Sequence, residues 1–215
     1  MRVLVACEFS GIVRDAFAKR GHDAWSCDLL PTERPGNHIQ GDVLEILDDG
    51  WDLMIAHPPC THLAVSGAAW FKEKQADGRQ DGGINFFLKM VNANIKRIAT
   101  ENPVGIMSSK FRKPDQIIHP YYFGDEFSKP TCLWLKNLPR LVHIKTQDMF
   151  AESTHVGKGE FVTTKSGRRG AKWNWWLPPG PERAKIRSRT FPGIAQAMAE
   201  QWGNLSPAQK ENENG

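Results

Sequence analysis

The chain has 215 residues, 40% of them hydrophobic and 24% charged, the composition of one globular domain with a small appendage; a disordered chain and a disulfide-held miniprotein are excluded. The net charge of +4 conceals a division, because nine Lys/Arg against two Glu between Lys158 and Arg189 make that segment +7 and leave −3 elsewhere, so a polyanion is expected to meet one part of the surface. The apolar run Val3 to Cys7 is too short for an export signal and nothing longer suits a membrane span, so the expectation is a soluble, cytoplasmic protein without membrane contact.

Short apolar runs alternate with helical patterns over the first hundred residues, which predicts an α/β fold: a mostly parallel sheet with helices on both faces. Val3 to Cys7 reads as a buried strand and Phe9-Ser10-Gly11 as a tight turn. Ile12 to Arg20 is a helix, with Val13, Ala16, Phe17 and Arg20 at helical spacing before Gly21. Ala24 to Cys27 is the second strand, with Asp28 at its carboxyl end and a loop over Pro31 to Gly36. Gly41-Asp42-Val43 follows a weaker strand or turn. Trp51 to Ala56 is a central strand ended by His57-Pro58-Pro59-Cys60, since proline cannot donate to an interior ladder. Gly78 to Gly83 reads as a polar loop. Phe86, Phe87, Met90, Val91, Asn94, Ile95 and Ile98 mark one helix face leading into a short strand that reaches Glu101-Asn102-Pro103. Thr131 to Leu135 is a further strand, Phe150 to Trp176 has no period, and Ile194, Ala197, Met198 and Trp202 mark a last amphipathic helix. The expected organisation is an α/β core over 1–145, a small basic Trp-rich region over 146–186, a closing helix over 187–205 and a frayed polar tail over 206–215.

Strand ends carry the candidate chemistry, because ligands of open α/β sheets bind outside the carboxyl ends of the strands. The helix after Phe9-Ser10-Gly11 offers free amides to a carboxylate or phosphate, and Asp28 is placed to accept from ribose hydroxyls; an ordinary turn with a surface aspartate fits equally well. Cys60 follows two prolines on a rigid turn, where a lowered pKa would make it a nucleophile, whereas Cys7, Cys27 and Cys132 read as small buried thiols. Glu101 at a strand end can be kept protonated by burial, so as to donate to a ring nitrogen. The cysteines form no C-x-x-C pair and His57, His62 and His119 have no ligand spacing, so no metal is expected. Trp173, Trp175 and Trp176 beside Arg168, Arg169 and Lys172 can stack bases and contact phosphates, or pack a subdomain under a solvated charged face.

In this order the residues resemble the DNA cytosine-C5 methyltransferases. Val5-Ala6-Cys7-Glu8-Phe9-Ser10-Gly11 is similar to that family's opening strand and F-S-G cofactor motif, Asp28 to its ribose-binding acid and Gly41-Asp42 to the acid near the adenine. Pro59-Cys60 resembles the Pro-Cys nucleophile motif, Glu101-Asn102 the Glu-Asn motif, and Phe191 to Trp202 the closing helix; the likeness covers about 1–105 and 187–203. The small size and the stretch Pro120 to Pro139 are similar to compact, phage- or prophage-borne members. The chain departs at Val13, where a second glycine is usual, at Thr61 for glutamine and at Pro103 for valine. Phe123-Gly124 is followed by only Lys129 and Thr131 in place of Gln-x-Arg-x-Arg, and a large target-recognition domain is missing. The resemblance implies a Rossmann-like S-adenosylmethionine-dependent fold, with Phe9, Ser10, Gly11, Asp28, Asp42 and Pro58 at S-adenosylmethionine. It implies that Cys60 adds to carbon 6 of a cytosine flipped from duplex DNA, that Glu101 holds N3, and that Asn102 orients Glu101 or the Pro-Cys loop. Lys129, Arg168, Arg169, Lys172 and Trp173 are the expected DNA contacts of a monomer in a bacterial or phage-infected cell. Two alternatives stay open: a catalytically silent DNA-binding or decoy protein, and cytosine modification of RNA or a free nucleotide.

Overall fold

The computed structural model describes residues 1–143, 154–163, 167, 169–172 and 180–205. Seven strands, β1 (Arg2–Ala6), β2 (Asp23–Asp28), β3 (His38–Gln40), β4 (Leu53–Ala56), β5 (Arg97–Pro103), β6 (Gln116–Ile118) and β7 (Thr131–Lys136), form one sheet in the order β3-β2-β1-β4-β5-β7-β6. The first five are parallel, and β7 runs antiparallel to both β5 and β6. The helices are α1 (Ile12–Ala18), α2 (Phe71–Ala76), α3 (Arg79–Val91), α4 (Met107–Lys110), α5 (Pro181–Ser188) and α6 (Pro192–Gly203). A separate antiparallel hairpin joins β8 (Phe161–Thr163) to β9 (Arg169–Ala171).

Alternation along the strands decides which helix covers which face. Val3, Val5, Leu53 and Ile55 point to one side, where α1 supplies Val13 and Phe17 and α6 supplies Ile194, Ala195, Met198 and Trp202. Leu4, Ala6, Met54 and Ala56 point to the other and meet Met90 of α3, Ile95 and Trp51. Strands buried on both faces read as continuous apolar runs, which is why β1 and β4 were legible. Trp202 is fully buried and its Nε1 donates to the Pro139 carbonyl at 2.9 Å, so the last helix is fastened by a hydrogen bond as well as by packing. A third cluster, Leu63, Phe87, Met107, Cys132 and Trp134, sits under the loops that follow β4 and β5.

Three expectations need correction. Gly78 to Gly83 is not a loop: Gly78 caps α3 and the polar residues after it are its first turn. Gln80 is buried there and its Nε2 donates to the His62 carbonyl at 3.2 Å, so polarity in this segment serves packing against the β4 loop. The apolar pattern expected to run as one helix from Phe86 to Ile98 breaks at Asn92, and Ile98 belongs to β5. Helix α5, which begins at Pro181 behind Gly180, spans the boundary expected between 186 and 187.

Candidate active site

The strand order reverses between β1 and β4, because β1 pairs with β2 on one side and β4 on the other; the crevice beyond their carboxyl ends is where an open sheet takes a ligand. Cys7 leaves β1 with φ 59, unusual for a residue other than glycine, and Gly11 turns into α1 with φ 69. A Cβ at Gly11 would also collide with the Arg14 guanidinium. The amides at the start of α1 are not free for an anion, which corrects the expectation drawn from Phe9, Ser10 and Gly11. Buried Glu8 takes them: its Oε1 accepts from the Val13 amide at 2.7 Å and from Ser10 Oγ at 3.1 Å, and its Oε2 accepts from the Arg14 amide at 3.3 Å. Arg14 is buried as well. Its guanidinium donates to Asp15, Ser26 and Thr32 and to the carbonyls of Arg34 and Pro35, which fixes the loop after β2.

Asp28 and Asp42 stand at the ends of β2 and just past β3. Each commits one oxygen to a local turn, Asp28 Oδ1 to the Leu30 amide and Asp42 Oδ1 to the Leu44 amide, both at 2.9 Å. The two carboxylates bear on the same place: after burial, the charge of Asp28 and then, more weakly, that of Asp42 raise both the Cys7 thiol, to about 12, and the Cys27 thiol, to about 11. Glu33 ties this loop to α5 through Arg189 at 2.7 Å and Lys185 at 3.0 Å, and the Arg189 bond above all holds its carboxyl below the usual range. Lys185 Nζ also lies 5.5 Å from the centre of the Phe9 ring, so α5 closes over the F-S-G turn.

The second half of the crevice is built by β4, β5 and β7. Asn102 Nδ2 donates to the Pro58 carbonyl at 2.8 Å, so Asn102 orients the Pro-Cys loop. Cys60 is half-buried, and its carbonyl accepts from the Leu63 and Ala64 amides, both at 3.0 Å. Two buried residues support the loop from behind: Lys74 donates to the Thr61 carbonyl at 2.7 Å, and Gln80 to that of His62. His57 Nδ1 lies 2.9 Å from Glu101 Oε2, with both side chains largely enclosed. Because β7 is antiparallel to β5, its first residues reach the same sheet edge, Thr131 beside Pro103 and Cys132 beside Asn102, which brings Lys129 toward Glu101.

The charge states differ from the sequence expectation at both Cys60 and Glu101. Burial and then the Glu101 charge push the Cys60 thiol up, opposed by Lys129 and Arg187, so its pKa is raised rather than lowered. Burial by itself would raise Glu101, but the His57 hydrogen bond, the Lys129 charge and Thr131 outweigh it and hold the carboxyl below its usual value. Glu101 is therefore ionised in the free protein and not kept protonated. An ionised carboxylate only accepts, so His57 Nδ1 carries the hydrogen between them. His57 Nε2, Glu101 Oε1 and Asn102 Oδ1 are buried without partners.

Lys129 joins this half, its Nζ donating to the Arg187 carbonyl at 3.0 Å, so α5 touches both halves. Arg169 and Lys172 stand instead with the β8–β9 hairpin, Arg169 over the Phe161 ring and Lys172 paired with Glu160. Arg168, Trp173, Trp175 and Trp176 lie outside the described residues. Among the described residues no group of three or more His, Cys, Asp or Glu is arranged to hold a metal ion, and no helix is long and apolar enough to cross a membrane. A surface hollow lined by Phe127, Lys158 and Lys172 does not include the strand ends. Sequence reasoning missed Glu8, Arg14, His57, Lys74, Gln80 and Arg187. Only His57, adjacent to the Pro-Pro-Cys turn, carried a positional signal.

The sheet order, the antiparallel β7 and helices on both faces define a Rossmann-like, mostly parallel α/β fold. No protein-family model and no curated protein matches the chain. Among solved structures, a chain described as a candidate DNA modification methyltransferase encoded within an E. coli prophage is similar at 17% identity and a TM-score of 0.43, over 63% of this chain and 46% of that one. The matched region is thus less than half of that neighbour's length.

Proposed function

We propose that the protein methylates carbon 5 of cytosine in DNA, with S-adenosylmethionine as methyl donor and Cys60 as covalent nucleophile. The observation that carries this reading is the second half of the crevice: a half-buried thiol, a carboxylate whose charge acts on it, and three buried polar atoms without partners. Buried polar atoms are nearly always satisfied, so three unpartnered ones at two adjacent strand ends suit a polar ligand such as a pyrimidine edge.

S-adenosylmethionine fits the first half in part. Asp28 and Asp42 act on a common point beside the F-S-G turn, as suits a ribose and an adenine edge. Glu8 already fills the amides of α1, so the carboxylate of the cofactor must find its donors elsewhere. When bound, the cofactor supplies the methyl group that carbon 5 takes.

The chain's own residues do the rest. Carbon 5 becomes nucleophilic only after addition at carbon 6, and the resting state holds its proton on sulfur with Glu101 ionised. Moving that one proton from Cys60 to Glu101 creates the thiolate and the acid together. The thiolate then forms the S–C6 bond while Glu101 gives its proton to N3, taking up the charge pushed into the ring. Glu101 Oε2 stays on His57 Nδ1, which leaves Oε1 as the oxygen open to the base. Water as base takes the carbon 5 proton, the electron pair of that C–H bond forms the C5–C6 double bond and expels the Cys60 thiolate, and the N3 proton returns through Glu101 to sulfur, which restores the resting state. Lys129, with Arg187 beside it, suits a phosphate near the flipped base.

Trapping tests the reading, because fluorine cannot leave carbon 5 as a proton does. DNA containing 5-fluorocytosine should form a denaturation-resistant adduct with wild type only when S-adenosylmethionine is present. Cys60→Ser should form none, while Cys7→Ser, Cys27→Ser and Cys132→Ser should still form it. Wild type that binds DNA but neither traps nor methylates would make a silent binding protein the better reading.

A further inference from the structure

We propose that Glu33, Lys185 and Arg189 form a clamp for the amino-acid end of S-adenosylmethionine, in which the two cations hold its carboxylate and Glu33 holds its ammonium group. The inference rests on the cofactor reading above and supplies what that reading leaves open, since Glu8 has taken the α1 amides that would otherwise serve an anion. A zwitterion is recognised by cations and an anion held side by side, and such a group stands at the F-S-G turn.

Glu33 is tied to that turn by its backbone, its amide donating to the Phe9 carbonyl at 2.8 Å. Arg14 fixes the residues on either side of it, through Thr32 Oγ1 and the Arg34 carbonyl, both at 3.2 Å. Helix α5 and the residue after it bring the cations: Lys185 Nζ lies 3.0 Å and Arg189 Nη2 2.7 Å from the same oxygen, Glu33 Oε1, and Lys185 Nζ stands 5.5 Å from the centre of the Phe9 ring. All three side chains are partly exposed, so their pairing fastens α5 only weakly, and a ligand can reach them. Two cations share one carboxylate. The Nε of Arg189, which with Nη2 forms an edge that matches the two oxygens of a carboxylate, is buried without a partner. A buried donor left unused beside a half-used fork points to an anion still to be bound.

The amino-acid end of the cofactor carries a carboxylate and an ammonium group on one carbon. Arg189 and Lys185 supply donors for the first, and Glu33 supplies the acceptor for the second, so the excess positive charge of the cluster meets a carboxylate without leaving the ammonium unpaired. A nucleic-acid phosphate suits the same cluster less well, because it offers acceptors alone and would face Glu33 as a like charge. Glu33 and Asp28 lie on one loop, so this loop holds the ribose and the amino-acid end together.

Calorimetry with three ligands tests the clamp: S-adenosylmethionine, its decarboxylated form, which keeps the ammonium group, and 5′-methylthioadenosine, which lacks the whole amino-acid end. Arg189→Gln and Lys185→Met should each weaken binding of S-adenosylmethionine by roughly 10- to 100-fold and leave the other two ligands unchanged. Glu33→Gln should weaken S-adenosylmethionine and its decarboxylated form and leave 5′-methylthioadenosine unchanged. Equal losses on all three ligands would mean that the cluster only fastens the loop to α5. Unchanged binding of S-adenosylmethionine, with a flatter salt dependence of DNA binding, would mean that the cations serve phosphates. Either result overturns the clamp, as does wild type that binds 5′-methylthioadenosine as tightly as S-adenosylmethionine. Wild type that binds none of the three would overturn the cofactor reading itself, and the clamp with it.

Discussion

The two halves of the strand-end crevice are furnished in opposite ways. Beyond β1 to β3 the polar groups are largely spent inside the protein: Glu8 caps α1, Arg14 pins the loop after β2, and Asp28 and Asp42 each close a turn. Beyond β4 and β5 they are held in reserve, with His57 Nε2, Glu101 Oε1 and Asn102 Oδ1 buried and unpaired. Leaving a buried polar atom unsatisfied costs about 1–3 kcal/mol, so each of these three atoms favours a state in which a polar partner reaches it. The difference suits a division of labour in which one half is a rigid cradle and the other becomes complete only when a base enters.

The sharpest break in that comparison is Glu101→Gln. The amide oxygen can still accept from His57, so the loop should keep its shape, but the proton carrier is lost. Methylation should fall by ~10²–10⁴-fold in a single-turnover assay, with binding of S-adenosylmethionine unchanged. A variant that methylates at the wild-type rate would remove Glu101 from the chemistry. The cradle half should respond in the reverse sense. Asp28→Asn keeps an acceptor for the Leu30 amide while removing the charge, so the fold should survive. Cofactor affinity by calorimetry should drop by roughly 10- to 100-fold, since a hydrogen bond to a charged group contributes ~1.5–3 kcal/mol. Unchanged affinity would show that Asp28 serves only its turn.

The contrast also explains what the sequence could and could not reveal. The apolar alternation of β1 and β4, and the proline turn that ends β4, are local signals, and so the positions of Cys60 and Asp28 were legible. The strand expected to reach Glu101 and Asn102 does so, as the end of β5. The proton positions were not legible. They depend on Lys129 and Arg187, brought in by an antiparallel β7 and a helix more than 120 residues after Cys60, and no local pattern contains those distances. Gly78 to Gly83 misled for a related reason: a polar run looks solvated until a partner such as the His62 carbonyl is known. Glu8 escaped notice because a carboxylate between a strand and a turn reads as exposed, whereas here it is 5% exposed and bound to the helix it precedes.

The smallest expected effect is the most direct reading of the reserved half. If the field around Cys60 is as described, alkylation by iodoacetamide, followed on the Cys60 peptide by mass spectrometry, should rise with pH along a curve displaced above that of an ordinary cysteine. Burial and the Glu101 charge both disfavour the thiolate, and Lys129 favours it. Removing the favourable charge with Lys129→Met should move the midpoint further up. Removing the unfavourable charge with Glu101→Gln should move it down, and by more, because Glu101 acts on the thiol more strongly than Lys129 does. The opposite signs separate electrostatics from damage to the loop, since a loosened loop would expose the thiol and lower the midpoint in both variants. A wild-type midpoint below the ordinary thiol value would mean that Cys60 rests as a thiolate, and the proton transfer from Cys60 to Glu101 would then have no place in the reaction.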